Sequence, residues 1–213
     1  MKKLSLIAAI ILFAGASFAQ SDKYISAMKA NISQIDSVVG KGNGTELANN
    51  FERIGDAEKT QWLPYYYAAY CTIIQGMVEK DVSKKDAIAD KAKALIDKAE
   101  GIVGKDNSET DVIRAMIATV YMTVDPQSRY MTYGPQITQY LEKSKGLDAT
   151  NPRPVLVEAE NTFYTPKQFG GGQDAAKPML DKASALYDAF KPETELSPNW
   201  GKTTVKYFLS QYK

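Results

Sequence analysis

The chain has 213 residues, with 26 Lys and Arg against 25 Asp and Glu, one cysteine and no histidine. The missing histidine excludes Ser-His-Asp and Cys-His catalysis and histidine-ligated zinc, and a lone cysteine excludes an internal disulfide. Charge this close to balance argues against nucleic acid, whose phosphates demand a basic footprint.

Residues 1–19 read as a secretory leader. Lys2 and Lys3 form a basic head, Leu4 to Phe13 is apolar apart from Ser5, and Ser17-Phe18-Ala19 places small residues where a signal peptidase cuts. The apolar stretch is shorter than the roughly 20 residues needed to span a bilayer. Gln20, not a cysteine, follows the cleavage point, so no lipid anchor is expected. Cleavage removes two basic and no acidic side chains, leaving a net charge of −1 on a single domain of residues 20–213. The expected location is the periplasm or the exterior, without membrane insertion.

The mature chain shows helical periodicity between Gly, Pro and Asn punctuation, and no segment reads as a strand. The spacing predicts a first helix over 22–39, closed by the glycines of 40–44, and a second over 45–57. A third, over 61–79, carries Trp62, Tyr66, Tyr70, Ile73 and Met77 on one stripe, with Pro64 in its first turn. A fourth over 84–103 begins with a capping-box-like Ser83 and Asp86, and Ser108 and Asp111 repeat that signature before a fifth, over 109–124. Asp125-Pro126 then predicts a stop and an irregular aromatic stretch through Tyr133, with a sixth helix opening at Gly134-Pro135 and ending near Leu147. Asn151-Pro152 opens a seventh, to Tyr164, and Gly170-Gly171-Gly172 separates it from an eighth over 173–190. Ser197-Pro198 starts a last, capping helix over 197–213, where Trp200 is expected to plug the end of the stack.

One short pattern recurs: Asp90-Lys91-Ala92 with Leu95, Glu142-Lys143-Ser144 with Leu147, and Asp181-Lys182-Ala183 with Leu186. The small residue should face a neighbouring helix, the leucine should fill the core, and the acid–Lys pair should stay in water. The starts are 52 and then 39 residues apart, so the units are irregular.

These features resemble the tetratricopeptide (TPR) repeat family. Trp62, Leu63, Tyr66, Ala69 and Tyr70 resemble the first helix of a repeat; Ala87, Ala92, Ala94 and Leu95 resemble its partner; Leu147-Asp148-Ala149-Thr150-Asn151-Pro152 resembles a repeat junction. The resemblance spans 45–190 without the strict period of about 34 residues. As a whole the chain is similar to short exported TPR-like proteins of Bacteroidetes-type bacteria. The resemblance implies an all-α, TPR-like α-solenoid of about nine antiparallel helices, and a scaffold that binds peptides or partner proteins without catalysis or a cofactor.

Trp62, Tyr66 and Tyr70 are the candidate partner-binding residues, as a peptide groove or a stacking surface for carbohydrate or another small ligand. Tyr65, Tyr66 and Tyr67 are successive, about 100° apart on a helix, so at least one is predicted to reach the surface. Glu158 and Glu160 are two apart and point in different directions, which argues against a carboxylate pair in catalysis. Cys71, in an apolar run, reads as a buried hydrophobe. The Gly170-Gly171-Gly172 run follows a helix and lacks the Lys-Ser/Thr of a phosphate loop, so it reads as a turn. The function expected is an exported, non-catalytic scaffold for a peptide, protein or envelope component, with small-ligand binding by the aromatic helix as the alternative.

Overall fold

A computed structural model describes residues 22–37 and 44–212, so the leader read over 1–19 lies outside the described residues. Nine α-helices are described, and no strand occurs among the described residues: α1 (Asp22–Ile32), α2 (Gly44–Glu58), α3 (Leu63–Val78), α4 (Val82–Val103), α5 (Ser108–Met122), α6 (Pro126–Leu147), α7 (Arg153–Tyr164), α8 (Gln173–Ala189) and α9 (Lys202–Leu209), with a 3-10 turn at Lys167–Phe169. Each helix from α2 to α7 packs on the next, and α7 on α8 and α8 on α9; the alternate helices α3, α5 and α7 also touch one another. The chain is therefore all-α, with α3 and α5 inside and α4, α6 and α8 outside.

Burial follows from that placement. Tyr65, Tyr66, Tyr67, Ala68, Ala69, Tyr70 and Cys71 of α3 are all buried, so the helix is enclosed round its circumference. In α4 the buried set is Lys85, Ala89, Ala92, Leu95, Ile96 and Ala99, one stripe at helical spacing with charged residues opposite. The small residue of the recurring motif is fully buried in all three copies, at Ala92, Ser144 and Ala183. Its leucine behaves differently: Leu95 is core, Leu186 is half-buried and Leu147 is exposed beside the turn into α7.

Several boundaries differ from the sequence reading, each for a local reason. The side chain of Asp81, not Ser83, caps α4 by accepting from the Ser83 N–H at 3.1 Å, and Asp86 pairs with Arg129 instead of closing a capping box. Asn107 caps α5 in the same way, through the Glu109 N–H at 2.8 Å. Residues 126–147 form one continuous helix, not an irregular stretch followed by a helix. Asp125 caps it through the Ser128 N–H, and Pro126 takes the first turn, where its absent N–H is harmless. Pro135 is tolerated inside α6 because the carbonyl it cannot reach belongs to Met131, which is 79 % exposed and open to water. The last helix starts at Lys202, and residues 197–200 are a non-helical approach to it.

The connection between α8 and α9 crosses the inner row. Tyr67 Oη donates to the Leu196 carbonyl at 2.9 Å, and the Trp200 ring stacks on Tyr70 with centroids 4.3 Å apart. Trp200 thus sits in the core and does not plug an end. Gly201 permits this: its φ is +104°, and a Cβ there would lie 2.0 Å from Tyr187 Oη and 2.8 Å from a Leu156 methyl. The two ends of the chain also meet, through Lys29 with Glu195 at 2.6 Å and the Thr203 hydroxyl with Asp36 at 3.2 Å.

Candidate functional site

Of the residues singled out in the sequence, Tyr66 and Tyr70 are 0 % and 2 % exposed, while Trp62 is half-buried at the start of α3, edge-on to Tyr66 at 5.6 Å. All three successive tyrosines are buried, correcting the expectation that one would surface. A different element covers each: Tyr65 lies against Gly55 and donates to Asp56 on α2, Tyr66 reaches α5, and Tyr67 reaches the crossing segment. In this arrangement Tyr66 and Tyr70 present no face to a ligand.

Tyr66 belongs to a buried polar network. Its hydroxyl donates to Glu109 Oε2 at 2.9 Å and accepts from Trp200 Nε1 at 2.9 Å. Arg153, 1 % exposed, donates to both oxygens of Glu109 through Nε at 2.9 and 2.8 Å, and its guanidinium also lies 4.6 Å from the Phe190 ring centroid. Asn151 Nδ2 adds donors to Glu109 at 2.8 Å and to Ser108 at 3.0 Å. Burial opposes the charge on Arg153, but the adjacent Glu109 carboxylate outweighs it and holds the guanidinium above its ordinary pKa. This network joins α3, α5, α7 and the crossing segment. Arg153 and Glu109 neutralise each other inside it, with Arg153 Nη1 the one buried side-chain nitrogen left without a hydrogen-bond partner among the described residues.

An exposed aromatic surface lies at the far ends of α7 and α9. Phe163 and Tyr164 close α7, and Tyr207 and Phe208 close α9. Their rings form a mutually edge-on cluster: Phe163–Phe208 at 4.9 Å, Tyr164–Phe208 at 5.9 Å and Tyr207–Phe208 at 5.5 Å, with Tyr212 6.4 Å from Phe163. Phe208 is buried and anchors the cluster, whereas Tyr164 is 71 % and Tyr207 60 % exposed. The 3-10 turn beyond α7 adds Phe169, also exposed, held by Gly171, where a Cβ would meet the Thr165 carbonyl oxygen at 2.3 Å. Lys177, 5.6 Å from the Tyr212 ring centroid, lies at the margin and is paired with Asp181 at 2.7 Å.

Beneath this face lies Glu160, one turn before Tyr164 on the same side of α7. It is half-buried and makes no hydrogen bond or ion pair among the described residues, and it acts electrostatically on the Tyr70, Tyr164 and Tyr187 hydroxyls. Burial pushes its carboxyl up to about 7 from an ordinary 4.5. On α9, Tyr207 stands one turn after Thr203, which bonds Asp36, so the aromatic face adjoins the seam where the chain ends meet.

Elsewhere, a cleft of about 510 Å³ is lined by Asp56, Lys59, Tyr65, Lys98 and Ile102, where Lys98 pairs with Asp56 at 3.5 Å. A second, of about 460 Å³ at the α4–α5 turn, is walled by charges already paired to each other, Arg114 with Glu100 and Lys143 with Asp106. No group of three or more Cys, Asp or Glu side chains converges as a metal site among the described residues, and no described helix is long and apolar enough to cross a membrane.

Sequence reasoning missed Tyr164 and Tyr207, and it weighed Glu160 only as half of a carboxylate pair with Glu158. The available signal was two adjacent aromatic pairs, Phe163-Tyr164 and Tyr207-Phe208, each at a helix end with one member off the apolar stripe.

No protein-family model matches the sequence, and no curated protein sequence matches it. Among solved structures it is similar to the HusA haemophore from Porphyromonas gingivalis, with 32 % identity, a TM-score of 0.78 and an alignment covering 92 % of this chain and 98 % of that chain. At that identity and coverage, the chain belongs to the family of the HusA haemophore.

Proposed function

We propose that this protein is an exported, non-catalytic binding protein that captures a planar tetrapyrrole of the haem class on the aromatic face of α7 and α9. The observation that carries the reading is the pair Tyr164 and Tyr207, both largely exposed over a buried Phe208 anchor. Exposed aromatic rings grouped on one surface of a water-soluble domain favour a flat apolar partner, because stacking adds to the area removed from water. Membership in a haemophore family supports the same ligand class. Of the two functions expected from the sequence, this is the small-ligand one, moved from the buried α3 tyrosines to another surface.

The composition sets how the ring is held. No histidine exists to ligate iron, and Cys71 is buried with its thiol pushed up to about 12 by that burial. Affinity in this proposal comes from contact of the ring with Tyr164 and Tyr207, whose phenol oxygens are the remaining iron-ligating groups at this face, and comparing haem with metal-free protoporphyrin separates ring contact from iron ligation. Absorbance titrations of the full mature protein with haem, metal-free protoporphyrin and an open-chain tetrapyrrole test this. Haem and protoporphyrin should bind within a few-fold of each other and the open chain at least tenfold more weakly. Equal binding of all three would refute ring capture.

We also propose that the helix stack is a TPR-like solenoid, on the strength of its paired helices and the contacts among α3, α5 and α7. A protein partner is a second reading, favoured by the exposed Val78, Val82, Tyr130 and Met131 at the α3–α4 turn and the start of α6. These lie toward the same helix ends as Tyr164, which would let a partner take up the cargo. Crosslinking of the cargo-loaded protein in the exported fraction tests it, and loss of the crosslink in Tyr130→Ala/Met131→Ala is expected.

A further inference from the structure

The Glu160 carboxyl has no role in the architecture. It neither caps a helix nor pairs with a cation, while its neighbour Glu158 is held by Lys145 at 3.1 Å. The groups around it are uncharged hydroxyls: Tyr70 from α3, Tyr187 from α8, Tyr164 from its own helix and, beyond Tyr164, Tyr207 from α9. On α5, Thr119 is hydrogen-bonded to Asn161, and on α6 Lys145 is engaged by Glu142 and Glu158. Tyr70 also feels Asp36, a charge of the same sign as Glu160. Among the described residues no ion pair or hydrogen bond reaches the half-buried Glu160 carboxylate, and Tyr164, one turn later on α7, leans over it. Arg153, two turns earlier on α7, is committed to Glu109.

Resting on the ring-capture reading, we propose that a ring seated over Tyr164 and Tyr207 closes Glu160 off from water, so that capture takes up a proton at Glu160 and the protein loads more tightly in a more acidic medium. The step is a protonation with no change of oxidation state: one proton from solvent ends on the Glu160 carboxylate, and it leaves when the ring leaves. A buried anion with no cation at hand is strongly disfavoured, whereas the neutral acid needs only one acceptor. Glu160 would then act as the loading sensor of the site.

The test is protoporphyrin affinity of the mature protein between about pH 5.5 and about pH 8.5, for wild type, Glu160→Gln and Glu160→Leu, with proton uptake read by calorimetry in two buffers of different ionisation enthalpy. Wild type should weaken by up to about tenfold per pH unit above about pH 7 relative to Glu160→Gln. Above about pH 7 it should also take up close to one proton more than either variant. Measuring against the variants cancels the titration of the ring's own carboxylates. Binding with the same slope in all three proteins would overturn the proposal and leave ring capture standing. No binding at any pH would overturn both.

Discussion

Arg153 and Glu109, 44 residues apart in the chain, form a two-pronged ion pair inside the helix stack, and the Tyr66 hydroxyl donates to the same carboxylate. Removing either charge strands the other in the core, at a cost on the order of 3–5 kcal/mol. Glu109→Ala and Arg153→Leu should each lower the urea midpoint sharply, whereas the double replacement by apolar residues should recover part of the loss. A loss below about 1 kcal/mol for Glu109→Ala would show that the pair is not central to folding.

Gly201 sits where the crossing segment turns into α9. Gly201→Ala must absorb both a left-handed φ and a contact with the Tyr187 hydroxyl that real Cβ atoms never make. A destabilisation of about 2 kcal/mol or more is expected in thermal unfolding. Adding Tyr187→Phe should relieve only part of it, because the backbone strain stays.

Glu160 predicts the sign of a stability change with pH. In the unfolded chain the carboxyl ionises near its ordinary 4.5, and in the folded protein near 7. Below the lower value both states hold the proton and Glu160 costs nothing. Between about 4.5 and about 7 the unfolded chain releases its proton while the folded protein keeps it, so the cost builds up over that window and stands on the order of 3 kcal/mol above it. Glu160→Gln should therefore melt higher than wild type at about pH 8.5 and the same as wild type near pH 4. A shift of equal size at both pH values would point to packing instead of charge.

Cys71 should be inert toward thiol reagents in the folded protein and react once unfolded in urea, because the thiol is 1 % exposed and its ionisation is suppressed by burial. Fast labelling under native conditions would show that α3 opens.

The fold was legible in the sequence wherever local chemistry decides it. The apolar stripes placed the helices, and Asn151-Pro152 and the triple glycine placed two of the turns. The helix over 126–147 was misread because Pro135 breaks a helix only if the freed carbonyl is buried, and Met131 is not. The site was less legible. Periodicity identifies an aromatic stripe but not how many neighbours enclose it, so the tyrosines of α3 looked available although four elements cover them. Tyr164 and Tyr207 are 43 positions apart and come together only when α9 docks near α7, a long-range fact with no local signature.

The central claim is that the face made by α7 and α9 holds the ring. Its most direct test is protoporphyrin affinity, by absorbance titration, of Tyr164→Ala/Tyr207→Ala beside Tyr130→Ala/Met131→Ala, with circular dichroism confirming that both remain folded. Two lost stacking rings should weaken the first variant by roughly 10- to 100-fold, with the second unchanged. Unaltered affinity in Tyr164→Ala/Tyr207→Ala would contradict the account.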